Sequence, residues 1–317
     1  MRTHRILPAV ALALICNSIC LGASEQKRAD DSILRQTFNL GAPRSAQAQS
    51  FEMETRVITY APDGKRVNTD VLRLWLKCTP GKDADQYTCQ KFTVQFGSAP
   101  AAALPALENW TYAFKGTATG MDEKGQVFGI DHAKFEKLVD ANGQPLPADK
   151  VYFVYNTFID FHAFCNAFAE PTTGGKGIQD LKSIGQKIIH AASFTEPPVN
   201  LGGNIAKGST FKNGEVTLEF KGLSIVDETA CAIVAFDSGQ SSFQMLLKPL
   251  PNMEVRAVGA SHYKGDIYID LATRWVRKVV MDELVVTETT VPMLPNKISA
   301  VIERNSVIRN VNTQTKK

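Results

Sequence analysis

The sequence predicts a mainly β protein of the α+β class: a long curved antiparallel sheet or half-barrel with a central helical hairpin packed on it. Apolar and polar residues alternate through much of 51–96 and again from about 210 onwards, as they do in strands with one covered and one wet face. Turn residues separate most of these segments at the spacing of antiparallel β architecture. Between the two β-rich parts, the periodicity changes to that of a helix.

The N-terminal β-rich part predicts a meander. Residues 51–60 carry β-branched and aromatic side chains and end at a turn in which Pro62 fixes φ and Gly64 permits positive φ. Residues 70–78 and 90–96 then alternate cleanly, as expected for two paired strands.

The C-terminal β-rich part repeats this texture. The segments 215–220, 241–247 and 266–271 alternate, whereas 228–236 is apolar on both faces and is predicted to be central in the sheet. The two β-rich parts, 51–150 and 205–317, are either halves of one large sheet or two similar domains.

The helical segment, 155–195, is predicted to form a hairpin. In 157–169, Thr157 and Asp160 have the spacing of a capping box, and Phe158, Phe161, Cys165 and Phe168 fall on one stripe. Glycines interrupt the chain after that segment, and 178–192 then repeats the helical period.

Residues 1–23 have the layout of a secretory signal peptide: a positive start, an apolar run and small residues before Ser24. The apolar run is too short to span a membrane. Lipidation at Cys16 or Cys20 is an alternative, although isoleucine stands before each where a small residue is expected. Residues 24–50 are predicted to be a flexible linker, and 51–317 an exported domain in the periplasm or outside the cell.

The charge balance argues against polyanionic partners. Removal of Arg2 and Arg5 with the signal lowers the formal charge from +3 to +1, which gives no electrostatic case for nucleic acid or an anionic membrane surface. An apolar small molecule or lipid and an envelope protein are the partners that remain. No transmembrane span, metal or cofactor is expected in the mature chain.

Four cysteines remain after the signal: Cys78, Cys89, Cys165 and Cys231. An even number in an exported protein predicts two disulfides. Cys78–Cys89 is favoured because both lie on one hairpin, and Cys165–Cys231 would follow. Buried free thiols are the alternative.

No catalytic motif is present. Neither G-x-S-x-G nor H-E-x-x-H occurs, and the titratable residues near apolar ones are Asp160, His162, Cys165 and His190. A Cys–His nucleophile pair would need Cys165 to be free, whereas the disulfide prediction occupies it. The sequence leaves enzymatic activity undecided and favours a non-enzyme with no catalytic residues.

The predicted ligand-binding residues are Phe158, Phe161, Phe164 and Phe168, four of the chain's 17 phenylalanines. A helix with this many aromatic residues either packs on the core face of the sheet or forms a lid over an apolar cavity.

The architecture of the C-terminal part, which includes the hairpin-like segment HYKGDIYIDLATRWVRKVV (262–280), resembles LolA/LolB-type bacterial envelope carriers and uncharacterised exported β-rich proteins. In that family a curved, unclosed barrel is capped by helices and its apolar face holds lipid-modified chains. The resemblance implies an exported, non-enzymatic protein that holds an apolar ligand between sheet and lid. An envelope structural or interaction protein with a filled core, and a hydrolase built from scattered residues, are the alternatives.

Overall fold

The computed structural model describes residues 35–116, 126–172, 175–197, 201, 205–250 and 252–312. One α-helix, α1 (Ala148–His162), is described there, and it runs directly into a π-helical turn, Ala163–Ala167. Short 3-10 helices cover Pro105–Leu107, His132–Phe135 and Ile178–Asp180. The strands are β1 (Gln49–Tyr60), β2 (Arg66–Thr79), β3 (Gln86–Phe96), β4 (Ala102–Ala103), β5 (Trp110–Ala113), β6 (Lys187–His190), β7 (Ser193–Thr195), β8 (Thr210–Asn213), β9 (Val216–Val226), β10 (Thr229–Asp237), β11 (Ser241–Leu250), β12 (Met253–Asp270), β13 (Val276–Thr290) and β14 (Ile298–Asn310).

All these strands belong to one antiparallel sheet, which is not closed into a barrel. Its central order is β4-β3-β2-β1-β14-β13-β12-β10-β9-β6. The N-terminal and C-terminal β-rich parts meet where β1 pairs with β14, from Phe51 opposite Asn310 to Tyr60 opposite Val301. The two parts are therefore halves of one sheet.

The sheet divides at β12, which is long enough to pair with two neighbours on the same side. Its first part pairs with β11, and its last part, from Lys264 to Asp270, pairs with β10. The apolar 228–236 segment, predicted to be central, forms β10 between β9 and β12.

Helix α1 crosses one face of the sheet, here called the inner face. Near its start, Lys150 Nζ donates to Asp70 Oδ2 on β2 at 2.6 Å. Further along, the Phe161 ring lies 5.2 Å from that of Phe51 on β1, and beyond the helix the Phe164 ring lies 4.5 Å from that of Phe236 on β10. The helix thus connects strands from both halves, because its aromatic side chains bury apolar area against each.

The helix begins earlier than the 157–169 segment predicted. Pro147 occupies its N-cap position and Asp149 lies in its first turn, where an acidic group is favourable. Thr157 does not cap the helix, because its hydroxyl donates to the Phe153 carbonyl at 2.8 Å within the helix.

The predicted second helix, 178–192, is wrong. After the short 3-10 helix, Gly185 takes a φ of +88° and the chain enters β6, where Ile188 pairs with Leu218 of β9. Ile188 is 5% exposed and its neighbour Ile189 is 57% exposed. This alternation is that of a strand with one covered face.

Neither predicted disulfide is present, because Cys78, Cys89, Cys165 and Cys231 are all free and buried. In the β2–β3 ladder, Cys78 lies opposite Tyr87 and Cys89 opposite Leu76. The two cysteines are therefore diagonal neighbours, about 7–8 Å apart, beyond the usual Cα separation in a disulfide.

Cys165 and Cys231 are separated by the sheet. Cys165 follows the helix on the inner face, whereas Cys231 alternates with the inward residues Ala232 and Val234 of β10 and so lies on the other face.

The N-terminal segment before β1 packs against the domain. Leu40 is buried at 2% exposure, and the Arg44 guanidinium lies 4.4 Å from the Trp275 ring centre and pairs with Glu170. Residues 35–50 are thus held closely, in contrast to the flexible linker predicted for 24–50. The predicted signal segment, with Cys16 and Cys20, lies outside the described residues. Among those described, no helix is long and apolar enough to cross a membrane.

Candidate functional site

The strand register aligns the inward residues of neighbouring strands in rows. These rows become less buried from the middle of the strands toward the end that holds the β13–β14 connection. A core row across four neighbouring strands is at most 1% exposed: Ile267, Val279, Ile308 and Met53. Two rows further along lies a polar row: Tyr263, Glu283, Arg304 and Val57. Beyond Arg304, the inward residues of β12 and β13 from Ser261 to Ala257 and from Val285 to Thr289 are half-buried, whereas Val255 at the start of β12 is 8% exposed.

We call the inner face of β11–β14 beyond Arg304 the open shelf. Cross-strand pairs compose it: Ser261, Val285 and Ile302; Phe243, Gly259, Thr287 and Ala300; Met245, Ala257, Thr289 and Ile298. Small residues form its floor on β12, and larger apolar ones lie to either side, on β11 and β14. The shelf therefore combines small side chains on its middle strands with larger apolar side chains on β11 and β14.

Gly259 is required by the packing of the shelf. A Cβ atom at this position would lie 2.5 Å from Cζ of Phe243 and 2.5 Å from the Val286 carbonyl oxygen. Glycine therefore lets the Phe243 ring lie directly over β12.

A buried ionic cluster separates the shelf from the core. Arg304 Nη1 donates to Asp160 Oδ2 on α1 at 2.7 Å, and Arg304 Nε donates to Glu283 Oε2 at 2.6 Å. Arg304 is 7% exposed, and Tyr152 and Tyr263 lie near the cluster. Because two carboxylates compensate one guanidinium, the cluster fixes α1 to β13 and β14 at the boundary of the covered area.

The charges of this cluster perturb one another. Burial raises the pKa of Asp160 to about 6, even though the Arg304 charge opposes the rise. Burial alone would lower the pKa of Arg304, but Asp160 and Glu283 outweigh it and raise that pKa. Asp160 therefore binds a proton at a higher pH than an ordinary aspartate does.

His162 belongs to a separate buried network. Its Nε2 lies 2.7 Å from the Tyr112 hydroxyl, and its Nδ1 lies 3.0 Å from Asn166 Oδ1. Burial lowers the pKa of His162 to about 3, so its ring is neutral at pH 7. Asn166 Nδ2 continues the network to the Tyr87 hydroxyl at 2.9 Å and to Glu170 Oε1 at 2.6 Å.

The four titratable residues noted in the sequence do not form one catalytic group. Asp160 pairs with Arg304, both ring nitrogens of His162 have other partners, and His190 lies on β6 beside Phe168. Burial raises the pKa of Cys165 far above its ordinary value, which makes it a poor nucleophile. Within the described ranges, no three His, Cys, Asp or Glu side chains are placed to share a metal ion.

Three of the four predicted ligand-binding phenylalanines are core residues. Phe158 and Phe161 are fully buried, and Phe164 is 2% exposed. Phe158 stacks on Phe92 with ring centres 5.7 Å apart. The protein's own side chains thus fill the space between these rings and the sheet.

Phe168 differs from the other three because it is half-buried. Its ring stacks on Phe236 at 6.4 Å, and Phe164, beside it, contacts Tyr263 at the polar row. Through Tyr263, the end of the aromatic stripe therefore lies near the open shelf.

Arg304 and Glu283 were missed by the sequence reasoning. A signal was available: Arg304 alternates with Ile302, Ser306 and Ile308, which places a charged residue on an apolar strand face. Its partner on α1 follows from tertiary structure alone.

Two surface depressions lie outside the shelf. One of about 710 Å³ is lined by Arg66, Asn68 and Phe96 among others, and one of about 400 Å³ by Glu219, Asp266 and Asp282 among others. Both are wide open and have mixed polar and apolar walls. An apolar ligand fits the chemistry of the shelf better than that of either depression.

In the part of the chain that the structure describes, the fold and site define a large open β sheet crossed by helix α1, with a partly exposed apolar surface beside that helix. No protein-family model matches the chain, and no curated protein matches it. A weak structural neighbour is the crystal structure of a DUF1329 family protein from Desulfovibrio piger, 8% identical, which covers 85% of this chain and 88% of its own, with a TM-score of 0.15. Another, described as "Asymmetric conductivity of engineered proteins", is 8% identical, covers 83% and 100%, and has a TM-score of 0.21. These TM-scores are too low for either likeness to carry an argument about this chain.

Proposed function

We propose that this chain is an exported, non-enzymatic binding protein that holds an apolar ligand on the open shelf, with helix α1 as the wall beside it. The observation that carries the proposal is the abrupt change across the Arg304 row. On one side the inner face is filled, and on the other the same strands present half-buried apolar side chains.

The composition of the shelf suits an apolar ligand. Ala257 and Ala300 have small side chains, while Met245 and Ile302 supply larger apolar ones. Met245 and Ile302 also pack against the core, so a ligand there would extend an existing apolar cluster. Binding would then be driven mainly by removal of apolar surface from water.

The helix supplies the wall in this proposal. Tyr152 and Ile159 are partly buried side chains seven residues apart, which places them on one side of α1. Tyr152 lies near the Arg304 cluster at the border of the shelf. The predicted role of Phe168 stays part of the proposal, as the half-buried end of the aromatic stripe.

A second candidate is an envelope interaction protein whose core is complete without a ligand. The full burial of Phe158 and Phe161 favours it, because no space for a ligand remains beneath the helix. The two candidates differ in whether the shelf takes up an apolar molecule.

The test is binding of N-phenyl-1-naphthylamine, an apolar probe whose fluorescence rises when it leaves water. We expect the native chain to bind it, and Ala257→Trp to weaken binding at least tenfold because the indole fills the shelf. Ala260→Trp is the matched control, since Ala260 is three residues along β12 and faces the other side of the sheet.

Binding that survives Ala257→Trp, or that Ala260→Trp weakens equally, would place the probe elsewhere and contradict the shelf proposal. Absence of probe binding by the folded native chain would favour the interaction protein. Circular dichroism of each variant shows whether the sheet is retained.

A further inference from the structure

One end of the sheet presents bare apolar side chains at its hairpin tips. In the β13–β14 connection, Met293 is 83% exposed and Leu294 50%, and Ile298, the first residue of β14, is 50% exposed. At the neighbouring β11–β12 connection, Leu250 is 60% exposed. We call these four residues the apolar tip.

The strand register brings the members of the apolar tip together. Arg256 of β12 lies opposite Thr290 of β13, and Leu250 lies opposite Met253 at the start of β12. The two connections therefore lie at the same end of the sheet, on neighbouring hairpins whose adjacent strands β12 and β13 are about 4.8 Å apart. Four exposed apolar side chains at neighbouring turns form an apolar patch, whereas single exposed apolar residues scattered over a surface would not.

The backbone at the tip is suited to a medium poor in water. Pro249, Pro292 and Pro295 have no N–H group, so they leave no unpaired donor. The Leu294 N–H donates to the Val291 carbonyl at 3.0 Å, which closes the turn internally. The prolines and this internal bond therefore reduce the number of backbone donors that would lose a hydrogen bond to water if this turn left water.

The charges around the tip include exposed bases. Lys248, Arg256 and Lys297 flank it, and Lys65 and Arg66 lie in the β1–β2 hairpin at the same end. The acids there are Asp63, Glu254 and Glu288, and Glu288 pairs with Lys297 at 2.8 Å. The bases exceed the acids by a small margin, so apolar contact would dominate and charge would assist.

The opposite end of the sheet has the contrary chemistry. The β9–β10 turn there consists of Asp227 and Glu228, both with positive φ. The β12–β13 turn is closed by Asp270, whose carboxylate accepts from the backbone N–H groups of Ala272 and Thr273. These two described turns are thus polar, in contrast to the apolar tip.

We propose that the apolar tip inserts into the interfacial layer of a lipid bilayer and docks this end of the sheet on a membrane surface. Met293 and Leu294 would enter the headgroup–acyl boundary, and the flanking lysines would lie among the phosphates. The inference needs no ligand on the shelf, and the two surfaces have Ile298 in common.

The experiment uses co-sedimentation of the full chain with sucrose-loaded vesicles of phosphatidylcholine and phosphatidylglycerol at 3:1. Met293→Glu/Leu294→Glu is the test variant, and Ile225→Glu, at a residue 69% exposed toward the opposite end, is the matched control. We expect the double variant to reduce vesicle partitioning of the chain at least tenfold, and the control and 0.5 M salt to change it less than threefold.

A second readout reports the position of the tip directly, whatever other segments contact the vesicle. Met293→Trp should gain fluorescence that is quenched by lipids brominated on their acyl chains, whereas tryptophan at the control site, Ile225→Trp, should not. Equal quenching at both sites, or partitioning unaffected by the double variant, would overturn the proposal. It would also be overturned if sedimentation without lipid showed a dimer that the double variant dissociates, because the tip would then bind a second copy of the chain.

Discussion

The two sides of the Arg304 row use the same strands for different purposes. On the covered side, Val279 and Ile308 are 1% exposed beneath the aromatic side chains of α1. On the shelf side, Val285 and Ile302 of the same two strands are half-buried, and among the described residues α1 does not extend over them. Strand alternation alone is thus insufficient to make a core, since an inward apolar residue is buried only where a second layer exists to cover it.

The largest expected contrast is between truncation of a buried aromatic residue on the covered side and truncation of a half-buried residue on the shelf. Phe158→Ala should lower the free energy of unfolding by about 3–5 kcal/mol, because it empties a fully buried site. Val285→Ala should cost less than about 1 kcal/mol, since less apolar area is lost from a half-buried site. Urea denaturation followed by circular dichroism measures both, and equal losses would contradict the distinction.

Removal of the Arg304 charge should lower the free energy of unfolding by nearly as much as Phe158→Ala. Arg304→Met leaves Asp160 and Glu283 without their cation and should cost about 3–5 kcal/mol. Addition of Asp160→Leu and Glu283→Leu should restore much of that loss, because no uncompensated charge remains. Arg256→Met, at an exposed position, serves as the control and should have little effect.

The pH dependence should separate Asp160 from His162. The pKa of His162 in the folded chain, about 3, is below its ordinary 6.5, so its contribution to stability is lost as the pH falls from 6.5 toward 3. The pKa of Asp160, about 6, is above its ordinary 3.8, so its contribution grows as the pH falls through 6 and is complete near 3.8.

His162 has the larger displacement of pKa and should dominate between pH 7 and 4. We expect His162→Gln to reduce the loss of stability over that range, and Asp160→Asn to increase it. Urea midpoints measured at several pH values test this, and a change of slope in the opposite direction for either variant would refute the assignment.

A smaller effect is expected on the outer face of the shelf strands. Leu284 is 52% exposed, so Leu284→Ser should change the free energy of unfolding by no more than about 0.5 kcal/mol. Met281, three residues earlier, is 1% exposed on the inner face, and Met281→Ser should be clearly more damaging. Thermal melting of the two variants provides the comparison.

The smallest expected effect is that of a reducing agent. Cys78, Cys89, Cys165 and Cys231 are free, so dithiothreitol should leave the melting temperature within about 1 °C. Burial raises the pKa of Cys78 to about 12, which makes the folded thiol unreactive. Alkylation and peptide mapping should modify the four residues after unfolding only, and a disulfide-linked peptide would contradict the structure.

The sequence predicted most strands, because a two-residue alternation is a local signal. The segments 51–60 and 70–78 lie within β1 and β2 much as expected. The 178–192 segment was predicted wrongly because the spacing of its isoleucines fits both a helix and a strand. Only its pairing with β9 shows that part of it is a strand. The disulfides failed for a geometric reason, since a two-residue offset across a ladder cannot be read from loop length.

The candidate site was less predictable than the fold. The aromatic stripe was visible in the sequence, but its first three rings fill the core. The shelf begins where α1 no longer lies over the strands, and its position therefore depends on where α1 crosses them. No local pattern in β12–β14 records that position.

The pairing of β1 with β14 has a consequence for folding. These strands are adjacent in the middle of the sheet, although Phe51 and its partner Asn310 lie at opposite ends of the described chain. Contacts so distant in sequence are expected to slow folding, because a long loop must close before they form. Until β14 arrives, β1 and β13 would both be unpaired edges that carry apolar residues, and a chain interrupted before residue 298 would be prone to aggregate.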